Sequence, residues 1–118
     1  MDKILKEAYL EKDKIISKMS TIILSTKCNQ GNPNASYAPS VIDSDGFYYI
    51  YISRLSKHAT NLLNDSKLSV MIIEDESDSK NLFARKRLTM NCISKEIGRD
   101  SDDWLDKIAL MEDKFGES

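Results

Sequence analysis

A chain of 118 residues, 41% hydrophobic and 31% charged, is long enough for one domain whose core needs neither disulfides nor metal. Its 17 basic and 19 acidic side chains leave a net charge of −2, which excludes a general nucleic-acid binder, because phosphate neutralisation needs a basic excess. Two cysteines make no secreted disulfide framework, Met1-Asp2-Lys3 opens a charged segment, and no apolar run approaches the roughly 20 residues that span a bilayer, so the expectation is a cytoplasmic protein folded as one domain over 1–118.

Residues 2–18 place Ile4, Leu5, Ala8, Tyr9, Ile15 and Ile16 near one stripe at helical spacing, an amphipathic helix expected to cover a sheet. Thr21 to Thr26 reads as a strand, closed by the Asn29-Gln30-Gly31-Asn32-Pro33 turn. A second strand runs from Asn34 to about Ile42. The Asp43-Ser44-Asp45-Gly46 turn then leads into a third, Gly46 to Ser53, rich in aromatic and β-branched residues. That turn is not a calcium loop, since glycine is fourth rather than sixth and the twelfth residue is Arg54. Lys57 to Asn64 makes a short helix, Lys67 to Ile73 a strand, and Glu74 to Lys80 a solvated acidic loop. Phe83 to Ile97 partly alternates, with Leu88, Met90, Cys92 and Ile93 as candidates for the inward face. Ser101-Asp102-Asp103 caps a last helix with an apolar stripe from Trp104 to Phe115. Consecutive antiparallel strands with few helices favour a small barrel.

One histidine and two distant cysteines make no zinc cluster of familiar spacing, and no nucleophile elbow, P-loop or dinucleotide fingerprint is present. What the residues do offer is anion binding. Ser53, Arg54, Ser56, Lys57 and His58 lie where a strand runs into a helix, and helix-start N–H groups with the positive end of the dipole attract a phosphate or carboxylate. Ser36 and Ser40 on the second strand, and Arg85, Lys86 and Arg87 entering the late strand, add further groups that a barrel can bring to one rim. Arg54, Arg85 or Arg87 can clamp a flavin phosphate or a haem propionate through paired guanidinium donors. The cysteines are expected to act as small apolar residues.

Four segments in order carry a resemblance: Ser36-Tyr37-Ala38-Pro39, YISRLSKHATNL from Tyr51 to Leu62, IIEDES from Ile72 to Ser77 and FARKRLT from Phe83 to Thr89. Together they resemble the HugZ-type haem-iron-utilisation proteins, within the superfamily of FMN-binding split barrels that includes pyridoxamine 5'-phosphate oxidase. The resemblance implies a mainly β fold, a six-stranded antiparallel split barrel with N- and C-terminal helices and one short inserted helix. It also implies a homodimer with the cofactor site at the subunit interface and an unidentified small-molecule redox substrate. FMN would lie against Ser36, Tyr37, Ala38, Pro39 and Ser40, with its phosphate at Ser53, Lys57 and His58 and its ring near Arg87. The main expectation is therefore a small FMN-binding flavoprotein oxidoreductase. The alternative is a haem-binding or haem-degrading module with propionates on Arg85 and Arg87. The related haem enzymes take their iron ligand from a C-terminal histidine, and no histidine follows His58 within these 118 residues.

Overall fold

The computed structural model describes residues 2–116. Helix α1 (Lys3–Lys18) begins where the Asp2 carboxylate accepts the Ile4 N–H at 2.9 Å. Strands β1 (Thr21–Lys27) and β2 (Pro33–Ile42) pair antiparallel through seven residues each, with Leu24 opposite Ser36. Strand β3 (Tyr48–Ile50), helix α2 (Lys57–Asn64), strand β4 (Lys67–Ile73), strand β5 (Arg87–Ile93) and helix α3 (Asp102–Phe115) complete the chain. The sheet has five strands in the order β3-β2-β1-β4-β5, all neighbours antiparallel. It curls into a half-barrel, so the expected six strands are corrected to five.

The shortness of β3 has a local cause. Ser40 N–H donates to Ser20 O on the β1 side, and backbone groups alternate direction along a strand, so those of Pro39 point towards β3. Proline has no N–H to donate there. The ladder, whose last pair is Ser40 with Ile50, therefore stops, and Tyr51 to Ser53 leave the sheet although the sequence reads them as strand. The late strand is trimmed too. Residues Leu82–Ala84 form a 3-10 turn, in which the Asn81 side chain accepts the Phe83 N–H at 3.0 Å. Such local side-chain bonds compete with a ladder.

Alternation along the strands gives the sheet two unlike faces. Inward lie Ile22, Leu24, Ala38, Val70 and Ile72, with Leu88, Met90 and Cys92 packed against them. Ile93, expected inside, is 77% exposed because it falls on the other parity of β5. Of the α1 stripe only Ile15 and Ile16 reach the core; Ile4, Leu5 and Tyr9 stand free of it. Helix α2 closes the other end of the inward face through Asn61 Nδ2, which donates to Thr26 Oγ1 at 3.0 Å, both residues being buried. No helix among the described residues is long and apolar enough to cross a membrane.

Helix α3 buries no residue completely; Trp104, Ile108, Leu110 and Met111 are half-buried, and two of its lysines add polar contacts. Lys114 Nζ donates to Met19 O (2.5 Å) and Ser40 O (2.9 Å), and burial pushes its ammonium below the usual lysine range. Lys107 Nζ lies 3.7 Å from Asp43 Oδ2 and 4.8 Å from the centre of the Tyr49 ring.

Asp43 organises the β2–β3 turn. Its Oδ1 accepts the N–H groups of Asp45 and Phe47, each at 2.9 Å, and its Oδ2 accepts the Tyr49 hydroxyl at 2.8 Å, while Gly46 supplies the positive φ of +88°. The Phe47 N–H above all, then Tyr49, Asp45 and the Lys107 charge, hold the carboxyl below its ordinary range. A depressed carboxyl stabilises the fold above its unfolded pKa, and that contribution is lost as pH falls through the folded value. Asp43→Asn is therefore expected to unfold more easily than wild type in urea at pH 7, with the gap closing as the pH drops below about 4. A gap that persists unchanged in acid would assign the effect to shape instead.

Candidate cofactor site

The strand-to-helix junction is built from short local bonds. Ser53 Oγ accepts the Leu55 N–H (3.1 Å), and Ser56 Oγ donates to Ser53 O (2.6 Å) and accepts the Ala59 N–H (3.3 Å) as the N-cap of α2. Asn61, one turn further on, pins the helix to β1. Residues three apart share a helix face, so the same anchorage turns His58 towards β2, where its Nδ1 hydrogen-bonds Ser36 Oγ at 2.8 Å. The half-buried ring is thereby fixed in orientation, with Nε2 on the side away from Ser36.

The remaining expected residues divide by strand parity and by local partners. Ala38 (2% exposed) and Ser40 (0%) share the inward face, and Ser40 Oγ donates to Tyr49 O at 3.0 Å, so these two belong to the core. Tyr37, 69% exposed, and Pro39 lie on the outward face. Arg54 is paired with the Glu96 carboxylate. Arg85 is only part-exposed: Nε and Nη2 donate to Glu74 O at 3.1 and 2.5 Å, and Nη1 is 4.0 Å from Glu76. Arg87 lies on the outward face of β5 and donates from Nη1 to Arg85 O at 3.1 Å. Strands β1 and β4 separate β2 from β5. Through Leu24 and Val70, Ser36 is level with Met90, three residues along β5 from Arg87, so within one chain the Ser36–His58 pair stands away from the Arg85–Arg87 end, and the three segments expected to converge are not seen at one rim. The structure brings Ser36 and His58 together, with Ser53 and Lys57 at the start of the same helix.

Three features escaped the sequence reading. Asn61 anchors the helix that carries His58, and its spacing from His58 was the available signal. Glu74 clamps the base of the β4–β5 connection. Cys28 differs from Cys92: the N–H groups of Gln30 and then Asn32, together with the Lys57 charge, lower its thiol pKa, whereas burial raises that of Cys92. The Asn29-Gln30-Gly31-Asn32 turn directly after Cys28 is the signal, because a tight turn points its N–H groups back at the preceding side chain. Among the described residues no group of three or more His, Cys, Asp or Glu is placed to hold a metal ion by itself.

The junction offers one oriented imidazole, the Lys57 cation, which among the described residues has no ion-pair partner, and exposed apolar surface at Tyr51 (59%) and Leu55 (98%). That combination suits a flat, largely apolar molecule with an anionic edge.

Residues 11–117 match the family model described as pyridoxamine 5'-phosphate oxidase. The chain is 46% identical over 97 residues to the heme oxygenase HutZ of Vibrio cholerae, an alignment covering 82% of this chain and 54% of that protein. It superposes on the crystal structure of HutZ, the heme storage protein from Vibrio cholerae, with a TM-score of 0.86 and 42% identity, over 92% of this chain and 75% of that one. It also superposes on Campylobacter jejuni ChuZ with a TM-score of 0.80 and 28% identity, over 96% of this chain and 46% of that one. The chain thus spans about half the length of the curated relative it matches.

Proposed function

This chain belongs to the pyridoxamine 5'-phosphate oxidase family, and from that premise we propose that it is a haem-binding module of haem utilisation. The observation that carries the reading is the 46% identity to HutZ over 82% of the chain. Haem binding is common to both descriptions of that relative, as heme oxygenase and as heme storage protein. FMN, the cofactor first expected, draws support only from the fold family.

The residues fit haem. His58 is the only imidazole in the sequence, and with Nδ1 donating to Ser36 Oγ its Nε2 would be the nitrogen offered to iron. Tyr51 and Leu55 give apolar contact to the macrocycle, and Lys57 gives a cation to a propionate. When bound, haem supplies an iron centre that can take oxygen chemistry.

The reading includes a homodimer. The outward face of the sheet presents Ile23, Ser25, Tyr37, Ser69, Met71, Thr89 and Asn91, a central area without charge. Charge depletion at the centre marks the core of a protein interface. A second copy on this face gives Arg87 a route to the cleft of its neighbour as a propionate partner, whereas the Arg85 guanidinium stays held by Glu74 O. Titration of the purified protein with hemin, and separately with FMN, tests the reading. A saturable Soret shift without flavin uptake is the expected result, and flavin bands surviving desalting with no Soret shift would replace haem by FMN.

A further inference from the structure

Strands β3 and β5 are the two edges of the curled sheet. Arg54 follows shortly after β3 and Glu96 shortly after β5, so the ion pair of Arg54 Nη2 with Glu96 Oε1 joins the segments that leave opposite edges, 42 residues apart in the chain. Both ends of the pair are locally ordered. Arg54 lies inside the turn that Ser56 closes by donating its N–H (3.0 Å) and its Oγ (2.6 Å) to Ser53 O. Glu96 lies just beyond Ser94, whose N–H donates to Ser66 O at 2.8 Å. The pair itself is open to water, with the arginine side chain 74% and the glutamate side chain 55% exposed. An exposed ion pair holds little net free energy, so another carboxylate can replace one partner at small cost.

The same turn carries the cations of the candidate cofactor site. Haem presents two propionates, and the stretch from Ser53 to His58 offers two permanent cations, Arg54 and Lys57. Lys57 has no ion-pair partner among the described residues, whereas Arg54 is taken by Glu96. A glutamate side chain, two methylenes ending in a carboxylate, is chemically the propionate arm of haem. Glu96 therefore demonstrates that the Arg54 guanidinium accepts a carboxylate in this setting, and it denies that guanidinium to a carboxylate arriving from outside.

We propose that Glu96 is an internal stand-in for a haem propionate, which occupies Arg54 in the ligand-free protein and is displaced when haem binds. This rests on the haem reading of the site and adds an autoinhibitory contact to it. Only molecules whose Arg54 is unpaired offer both cations at once, so the apparent affinity for haem is lowered by that fraction. Displacement also frees Glu96 from the junction, and with it the connection between β5 and α3, so that occupancy of the site loosens the tie between the two edges of the sheet.

Absorbance titration with hemin, and separately with hemin dimethyl ester, whose propionates carry no charge, tests the displacement in wild type, Glu96→Gln, Arg54→Ala and the double variant at low salt. Both altered side chains are exposed, and unchanged circular dichroism confirms that the fold survives. Glu96→Gln is expected to bind hemin about threefold more tightly than wild type, and Arg54→Ala more weakly than wild type. The double variant is expected to match Arg54→Ala, and the ester to show no gain from Glu96→Gln. Hemin affinity unchanged or reduced in Glu96→Gln, a gain that persists without Arg54, or an equal gain with the ester would overturn the displacement and leave haem binding standing. A wild type without a saturable Soret shift would remove both.

Discussion

Replacing His58 with alanine is expected to lower hemin affinity by at least about 100-fold, since losing only the partner that orients a metal-bound imidazole costs about 10- to 100-fold. The whole ligand goes in this variant, whereas Ser36→Ala keeps the imidazole and removes the hydroxyl 2.8 Å from Nδ1. Ser36→Ala should therefore fall between the two, about 10-fold weaker than wild type, with a broadened Soret band from a ring free to turn. The ranking separates an iron ligand from a structural histidine. If His58 serves only to dock α2, both variants lose stability and neither changes the Soret position. Absorbance titration alongside urea unfolding reads both quantities. Hemin affinity equal to wild type in a folded His58→Ala protein would move the iron to another side chain.

The second large effect lies in the core. Leu24 is fully buried at the centre of the sheet, between β2 and β4, in the cluster with Ile22, Ala38, Val70 and Ile72. Leu24→Ala removes its transfer free energy and leaves a cavity that flanking strands cannot close, a loss of about 3 kcal/mol. For a domain of this size that lowers the melting temperature by roughly 10 °C. Leu55→Ala removes the same atoms from a side chain that is 98% exposed and should stay within about 0.5 kcal/mol of wild type. A Leu24→Ala loss no larger than that of Leu55→Ala would mean that the sheet does not pack as described.

Much of this architecture was written in local patterns. The Asp43-Ser44-Asp45-Gly46 turn, the Ser101 cap and the strands β1 and β4 each follow from two to seven adjacent residues, and all recur in the structure. The junction at Ser53 to His58 was legible for the same reason. The failures are questions of direction and distance. Pro39 ends β3 because its missing N–H points towards β3 rather than β1, which depends on the register of three strands. Ser36 and Ser40 look alike in sequence and share a strand face, yet one meets His58 and the other is sealed against Tyr49 O. Arg85 reads as a free cation until the Glu74 carbonyl is brought beside it. Strand order, which separates β2 from β5, has no local signature at all. The choice between flavin and haem was likewise undecided by residue types, since serines, a lysine and a histidine serve either anion. Identity to HutZ along the chain is what favours haem.

The central claim is haem binding, and the most direct measurement is the absorbance difference spectrum of the purified protein titrated with hemin, against a parallel FMN titration. The account predicts a Soret band that shifts and saturates at stoichiometric hemin, is lost in His58→Ala, and coexists with no retained flavin. An unshifted Soret band up to tens of micromolar hemin, with or without FMN uptake, would contradict it.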